Sequence, residues 1–177
     1  MQWKNSATHY GCISKFLHWT LAACVIFMLA LGLELSSFEG DGKKLALQIH
    51  KSLGIVVLAL AVFFIAWRFY TKSPRLPSSM SRLAKAGAYA NCATLYALMI
   101  GMPVTGWAMN SAFGKPVIFL GLVALPDLVE KNLRTALLLK DTHSFIGFAM
   151  IGLVGLHIAA ALYHHLVLKD QIMKRLL

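Results

Sequence analysis

Acidic side chains are scarce in this sequence: seven Asp and Glu occur in 177 residues, and charged residues of all kinds make up 14%. Soluble domains carry about 25% charged and about 45–50% apolar residues. Here apolar residues reach 58% and mean hydropathy is +0.67. That balance argues against a soluble globular domain and against a disordered chain. Cysteine is sparse too. Cys12, Cys24 and Cys92 are odd in number and far apart. Without a C-x-x-C there is no zinc ribbon or thioredoxin-like redox motif, and without a C-x-x-C-H no covalently attached c-type haem. Cys24 and Cys92 lie inside apolar runs and read as small core residues. Leu21-Ala22-Ala23-Cys24 resembles a lipoprotein cleavage box, but the apolar run continues about ten residues past Cys24, whereas a signal segment ends before its cleavage site.

What the sequence has instead is long apolar runs. A membrane-crossing helix needs about 20 mostly apolar residues. Four stretches qualify, roughly 16–35, 49–70, 84–109 and 142–168. They predict an all-α protein, a membrane four-helix bundle forming one domain over 1–177. Between the third and fourth stretches, Pro116–Leu125 is apolar but only 10 residues long. It is too short to span and reads as a re-entrant or interfacial segment. Leu128–Leu139 is amphipathic and reads as a surface helix. Pro74 and Pro77, with Ser73, Ser78 and Ser79, mark a short loop between the second and third spans. Pro103, flanked by Gly101 and Gly106, is expected to kink the third.

The net charge of +10 suits membrane orientation better than nucleic-acid binding, so no nucleic acid is expected as a partner. One side of the bundle would collect the N-terminus, the loop between spans two and three, and the C-terminus. It holds Lys4, Lys15, Arg68, Lys72, Arg75, Arg82, Lys85, Lys169, Lys174 and Arg175 against Asp170 alone. The other holds Lys43, Lys44, Lys51, Lys115, Lys131, Arg134 and Lys140, diluted by Glu34, Glu39, Asp41, Asp127, Glu130 and Asp141. The excess of basic residues on the first side predicts both termini in the cytoplasm. An even number of spans agrees.

The chemistry rests on histidine. Ionisable side chains inside membrane helices are costly and mark functional sites. His18, His50, His143 and His157 fall within three of the four stretches. His143 and His157 are 14 residues apart, about 21 Å along a helix axis and about 1400° of rotation, close to four full turns. Both therefore face one side, one near each membrane surface. By depth, His50 pairs with His143 on the outer side, and His18 pairs with a histidine of the fourth stretch on the inner side. Two neutral imidazoles from facing helices suit a six-coordinate haem iron that carries electrons. Zinc fits less well, because closed zinc sites use four protein ligands. The inner partner is either His157 or His164. The shallow position of His18, three residues after Lys15, favours His164. A small residue one turn after each ligand favours His157: Ala22, Gly54, Gly147 and Ala161 follow His18, His50, His143 and His157, whereas Leu168 follows His164. Lys15 can snorkel to the surface, so the balance lies with His157. His9 reads as a solvated or interfacial residue. His164 and His165 read as interfacial anchors or as groups handling protons beside a quinone.

These residues resemble the bacterial cytochrome b561 family. The resemblance is carried by His18-Trp19, by His50-Lys51-Ser52-Leu53-Gly54-Ile55, and by His157-x-Ala159-Ala160-Ala161-x-x-His164-His165 ending in Lys169-Asp170. Gly106 and Gly114-Lys115-Pro116 are also similar, and the likeness covers nearly the whole chain. It implies a multi-pass protein of the bacterial inner membrane with two haem b groups, whose axial ligands match His18, His50, His143 and His157. It implies electron exchange with ubiquinone, for which His164 is the candidate contact by its position. One branch of the family oxidises periplasmic superoxide and passes the electron inward, which would make this chain a superoxide:ubiquinone oxidoreductase. Lys43, Lys44, Lys51, Lys115, Lys131, Arg134 and Lys140 would steer the anion. The alternative is a haem-bearing anchor subunit linking a periplasmic dehydrogenase to quinone.

Overall fold

A computed structural model describes residues 2–78 and 80–176, so Ser79 of the expected loop lies outside the described residues. Four helices dominate: α1 (Cys12–Glu34), α2 (Gly40–Tyr70), α3 (Arg82–Ala112) and α4 (Leu133–Leu162). All four are long and apolar enough to cross a membrane. The fold class expected from composition is the one observed, all-α with four spans. Consecutive helices pack as antiparallel neighbours, α1 on α2, α2 on α3 and α3 on α4, as short connections require. Large apolar side chains such as Phe16, Phe69, Leu83, Phe145 and Phe148 point outward and are exposed. A helix apolar on all sides is stable only where its outer face meets lipid.

The helices outrun the apolar stretches because polar turns prolong them at the outer end. α2 begins at Gly40, with Asp41 in its first turn and bonded to Lys44. Negative charge there suits the positive end of the helix dipole. α4 begins at Leu133, where the Asn132 side chain accepts a bond from the Thr135 amide at 3.0 Å. That N-cap starts a helix that nothing interrupts before Leu162. Leu128–Leu139 is therefore not a separate surface helix, since its second half is the first turns of α4. α3 starts behind the Ser81 cap and runs through Pro103. Past Leu162 the backbone widens into a π-helical turn, Tyr163–Val167, and a short 3-10 turn, Met173–Arg175, follows.

The segment expected to be re-entrant or interfacial is a small β-hairpin. Strands β1 (Ile118–Phe119) and β2 (Val123–Ala124) pair antiparallel, Ile118 opposite Ala124, around a turn with positive φ at Leu120 and Gly121. Side chains from the helices hold it across the outer end of the bundle. Gln48 Nε2 donates to the Ile118 carbonyl at 2.6 Å, the Leu120 amide donates to Ser52 Oγ at 3.0 Å, and Trp107 Nε1 donates to the Pro126 carbonyl at 3.0 Å.

The core runs from the level of His18, beside which Leu17 lies, through Leu21, Ala61 and Phe64 to Val25, Val57 and Met150. Met150 lies seven residues from both His143 and His157, so buried apolar packing stands between the two histidine levels. At the opposite end from the hairpin, the chain before α1 is tied down by polar bonds. Asn5 Oδ1 accepts from the Gly11 amide and from Ser14 Oγ, and Ser14 Oγ accepts from Trp67 Nε1 at 2.9 Å. Gly11 is enclosed: a Cβ there would lie 2.4 Å from the Trp3 carbonyl oxygen, a backbone atom. Gly11→Ala is therefore expected to cost about 1–3 kcal/mol, the usual range for an overpacked site. The cost should be read as an earlier thermal unfolding midpoint in detergent. An unchanged midpoint would show that the segment is not packed as described.

Candidate functional site

Helix geometry brings the four sequence-predicted histidines together as two pairs. On the outer level, His50 of α2 faces His143 of α4 with ring centroids 6.4 Å apart. On the inner level, His18 of α1 faces His157 of α4 at 6.3 Å. The ring opposite His18 is that of His157, not His164. An imidazole nitrogen lies about 2 Å from a first-row metal ion and about 1.1 Å from its own ring centre, so rings on opposite sides of one ion have centres about 6 Å apart. Both pairs match that separation.

The remaining ring nitrogens decide which atoms are free. His143 Nδ1 lies 3.0 Å from the Met102 carbonyl and 3.2 Å from Thr105 Oγ1. A carbonyl only accepts, so Nδ1 carries the proton and Nε2 keeps its lone pair. Thr105 in turn donates to the same carbonyl at 2.9 Å. On the inner level, His157 Nδ1 is 3.4 Å from Asn91 Nδ2, while Asn91 Oδ1 is buried without a partner. The two ends of an amide are alike in shape. Exchanging them lets Oδ1 accept from Nδ1–H, which leaves His157 Nε2 with its lone pair. Such bonds fix the tautomer and orientation of a metal-ligating histidine. His50 Nδ1 is buried with no partner, so that ring has bonding capacity the chain itself does not use.

Space has been cleared around the rings. A Cβ on Gly106 would lie 2.9 Å from His143 Cε1, and one on Gly32 would lie 3.3 Å from His50 Cε1. A cavity of about 210 Å³ opens around the outer pair. Met28, Met99, Met102, Val57 and Met150 give it apolar walls, Gly54 lines it beside His50, and Lys51 and Asn110 are its polar groups. Val117, beneath the hairpin, closes it on the outer side. Of the small residues one turn after each histidine, Gly54 borders this cavity, whereas Gly147 faces Met102 Cε at 3.3 Å. Gly32 and Gly106, which touch the rings, lie on neighbouring helices.

The donor set is selective. Among the described residues no three His, Cys, Asp or Glu side chains converge. Two imidazoles cannot fill the coordination sphere of zinc or iron unaided. A group that brings four in-plane nitrogens of its own completes it, and a haem is that group.

The other histidines lie apart from the pairs. His9 is exposed and contacts Thr8. His164 and His165 occupy the π-helical turn, a feature frequent at functional sites. His164 Nδ1 donates to Asp170 Oδ2, and Asp170 Oδ1 accepts from the Ile172 amide. Burial pushes the Asp170 carboxyl up, but the Ile172 amide, His164 and Arg175 outweigh it and hold it below the usual carboxylate range. His165 Nδ1 is buried without a partner. Sequence reasoning missed Asn91, Thr105 and Gly32. A polar side chain amid an apolar run was the available signal for the first two; Gly32 had none.

Comparison with known proteins identifies relatives over nearly the whole chain. The family described as Prokaryotic cytochrome b561 matches residues 9–177. The chain is 31% identical to Cytochrome b561 homolog 2 of Escherichia coli (strain K12), over 100% of this chain and 95% of that one. It is 29% identical to a protein named Probable superoxide oxidase CybB from Yersinia pestis, over 95% of each chain. It is 29% identical to Cytochrome b561 homolog 1 of Escherichia coli (strain K12), over 92% of this chain and 93% of that one.

Gly106→Val should drive a methyl into the His143 ring and pull Nδ1 off the Met102 carbonyl. The expected result is loss of about half of the b-type haem absorbance per chain, while the helical circular dichroism is kept. Full absorbance would show that the clearance at Gly106 is immaterial.

Proposed function

The chain belongs to the prokaryotic cytochrome b561 family, and within it we propose a transmembrane electron carrier between a periplasmic donor and the ubiquinone pool. Membership makes it a multi-pass protein of the bacterial inner membrane, in contact with lipid and concerned with haem b electron transfer. The finer reading is two haem b groups per chain, one between His50 and His143 and one between His18 and His157. The observation that carries it is the repetition of one imidazole spacing at two levels of α4. When bound, the haems supply one-electron carriers at the two levels.

The chain's own residues orient, insulate and supply charge. Met102 and Thr105 hold the His143 ring, and Asn91 holds that of His157. The band from Leu21 to Met150 keeps water out between the levels. The charge of Lys115 bears on Lys51, which borders the outer cavity. Lys43, Lys44, Lys131, Arg134 and Lys140 belong to the same end, and with Lys51 and Lys115 their excess over its six acids favours approach of a small anion. Superoxide is such an anion, and one relative is named for superoxide oxidation. Two superoxide anions each give up one electron and leave as dioxygen; one ubiquinone takes both electrons and two protons and leaves as ubiquinol. His164, its Nδ1 proton held on Asp170, stands at the opposite end as the quinone contact. The distribution of Lys and Arg supports a cytoplasmic position for both termini, and hence for that end.

Two experiments test this reading. His157→Ala should lose one haem per chain, while His164→Ala keeps both and slows quinone reduction; the reverse pattern would break the pairing. Superoxide added to the purified protein should reduce its haems within mixing time, and a ubiquinone analogue should reoxidise them. Haems indifferent to superoxide would leave a subunit serving a periplasmic dehydrogenase and overturn the oxidase assignment.

A further inference from the structure

Arg68 is the charged side chain that the proposed function leaves unused. It lies near the end of α2, half-buried, with its guanidinium carbon 5.4 Å from the centre of the Tyr96 ring on α3. Tyr10, from the segment before α1, and Cys92 of α3 are its other neighbours. Guanidinium stays ionised at any relevant pH, and a buried charge without a counter-ion is strongly unfavourable.

No side-chain carboxylate of the chain is placed to serve as that counter-ion. Glu34, Glu39, Asp41, Asp127, Glu130 and Asp141 belong to the opposite end of the bundle. Asp170 shares the Arg68 end, but His164 and the Ile172 amide occupy it. The two ion pairs found among the described residues involve neither Arg68 nor any of its neighbours. Among the described residues no side chain supplies the anion, which leaves room for one from outside the polypeptide.

Depth limits what it can be. Arg68 follows His50 by 18 residues, about 27 Å of helix, and His157 follows His143 by 14, about 21 Å. Since His50 and His143 are level, Arg68 sits about 6 Å beyond the inner imidazoles, toward the nearer surface. An edge-bound anion of a group centred between His18 and His157 would arrive there. A porphyrin of the b type carries two carboxylates on one edge. We propose that Arg68, with the Tyr10 hydroxyl beside it, is the carboxylate-binding site for the inner haem's propionate edge. The inference rests on the two-haem reading above and adds to it the direction in which the inner group enters. Arg68 is then a positioning residue that also places a fixed positive charge beside the inner level and favours the reduced state there. Guanidinium binds carboxylate in a two-pronged fashion that ammonium matches only in charge.

The test is a redox titration of the purified holoprotein, comparing wild type with Arg68→Gln and Arg68→Lys. The inner midpoint is identified as the one missing in His157→Ala. Arg68→Gln should lower that midpoint and hasten transfer of that haem to apomyoglobin. Arg68→Lys should restore most of the midpoint but not the retention, and the outer midpoint should not move. If Arg68→Gln fails to fold, haem labelled with carbon-13 at its carboxylates decides in wild type and Arg68→Lys. The infrared carboxylate band should shift between these two. Unchanged midpoints, or an unchanged band, would overturn the proposal and give Arg68 to a lipid phosphate. A wild type with no bis-imidazole haem would instead remove the two-haem reading itself.

Discussion

The structure depends on pairs of neutral imidazoles that face one another in the membrane interior while making their other bonds elsewhere. A buried polar ring is costly in an apolar bundle unless every nitrogen is satisfied. The chain satisfies one nitrogen of His143 with the Met102 carbonyl and one of His157 with the Asn91 amide. Their other nitrogens are left for something the chain does not provide. The clearances at Gly32 and Gly106 follow from the same constraint, since a methyl at either position would crowd a ring.

The vertical order of the bundle follows in turn. α4 contributes a histidine to each level, and Met150, 2% exposed, stands midway between them. The hairpin is bound to Gln48 and Ser52, the turns on either side of His50. It therefore roofs the outer level without adding a ligand. The inner end has a different character: a guanidinium with no carboxylate among its neighbours, a carboxylate bonded to His164, and a widened helical turn. In the function proposed, one end meets a small anion and the other handles carboxylates and protons.

Much of this was legible from the sequence because membrane helices obey simple rules. Four apolar runs gave four spans, and a 14-residue interval on one helix put His143 and His157 on one face. The small residue one turn on pointed to His157 where the depth of Lys15 pointed to His164, and the ring opposite His18 is that of His157. What stayed hidden depends on contacts between helices. Gly106 looked like a companion to the Pro103 kink, yet its neighbour is a ring on another helix. Arg68 counted only as a positive charge at a membrane face, because nothing in sequence shows that its surroundings lack an acid. The amphipathic stretch after Leu128 was split wrongly because the Asn132 cap, not the change in polarity, starts α4. The hairpin at Ile118 was missed because two-residue strands have no period to read.

The central claim is that each chain holds two haem irons, each between two imidazoles. Quantifying b haem against protein in a purified sample, with low-temperature electron paramagnetic resonance of the oxidised form, tests it most directly. The account predicts two haems per chain and two low-spin ferric signals with no high-spin component. One haem per chain, or a high-spin signal from an iron with an open position, would contradict it.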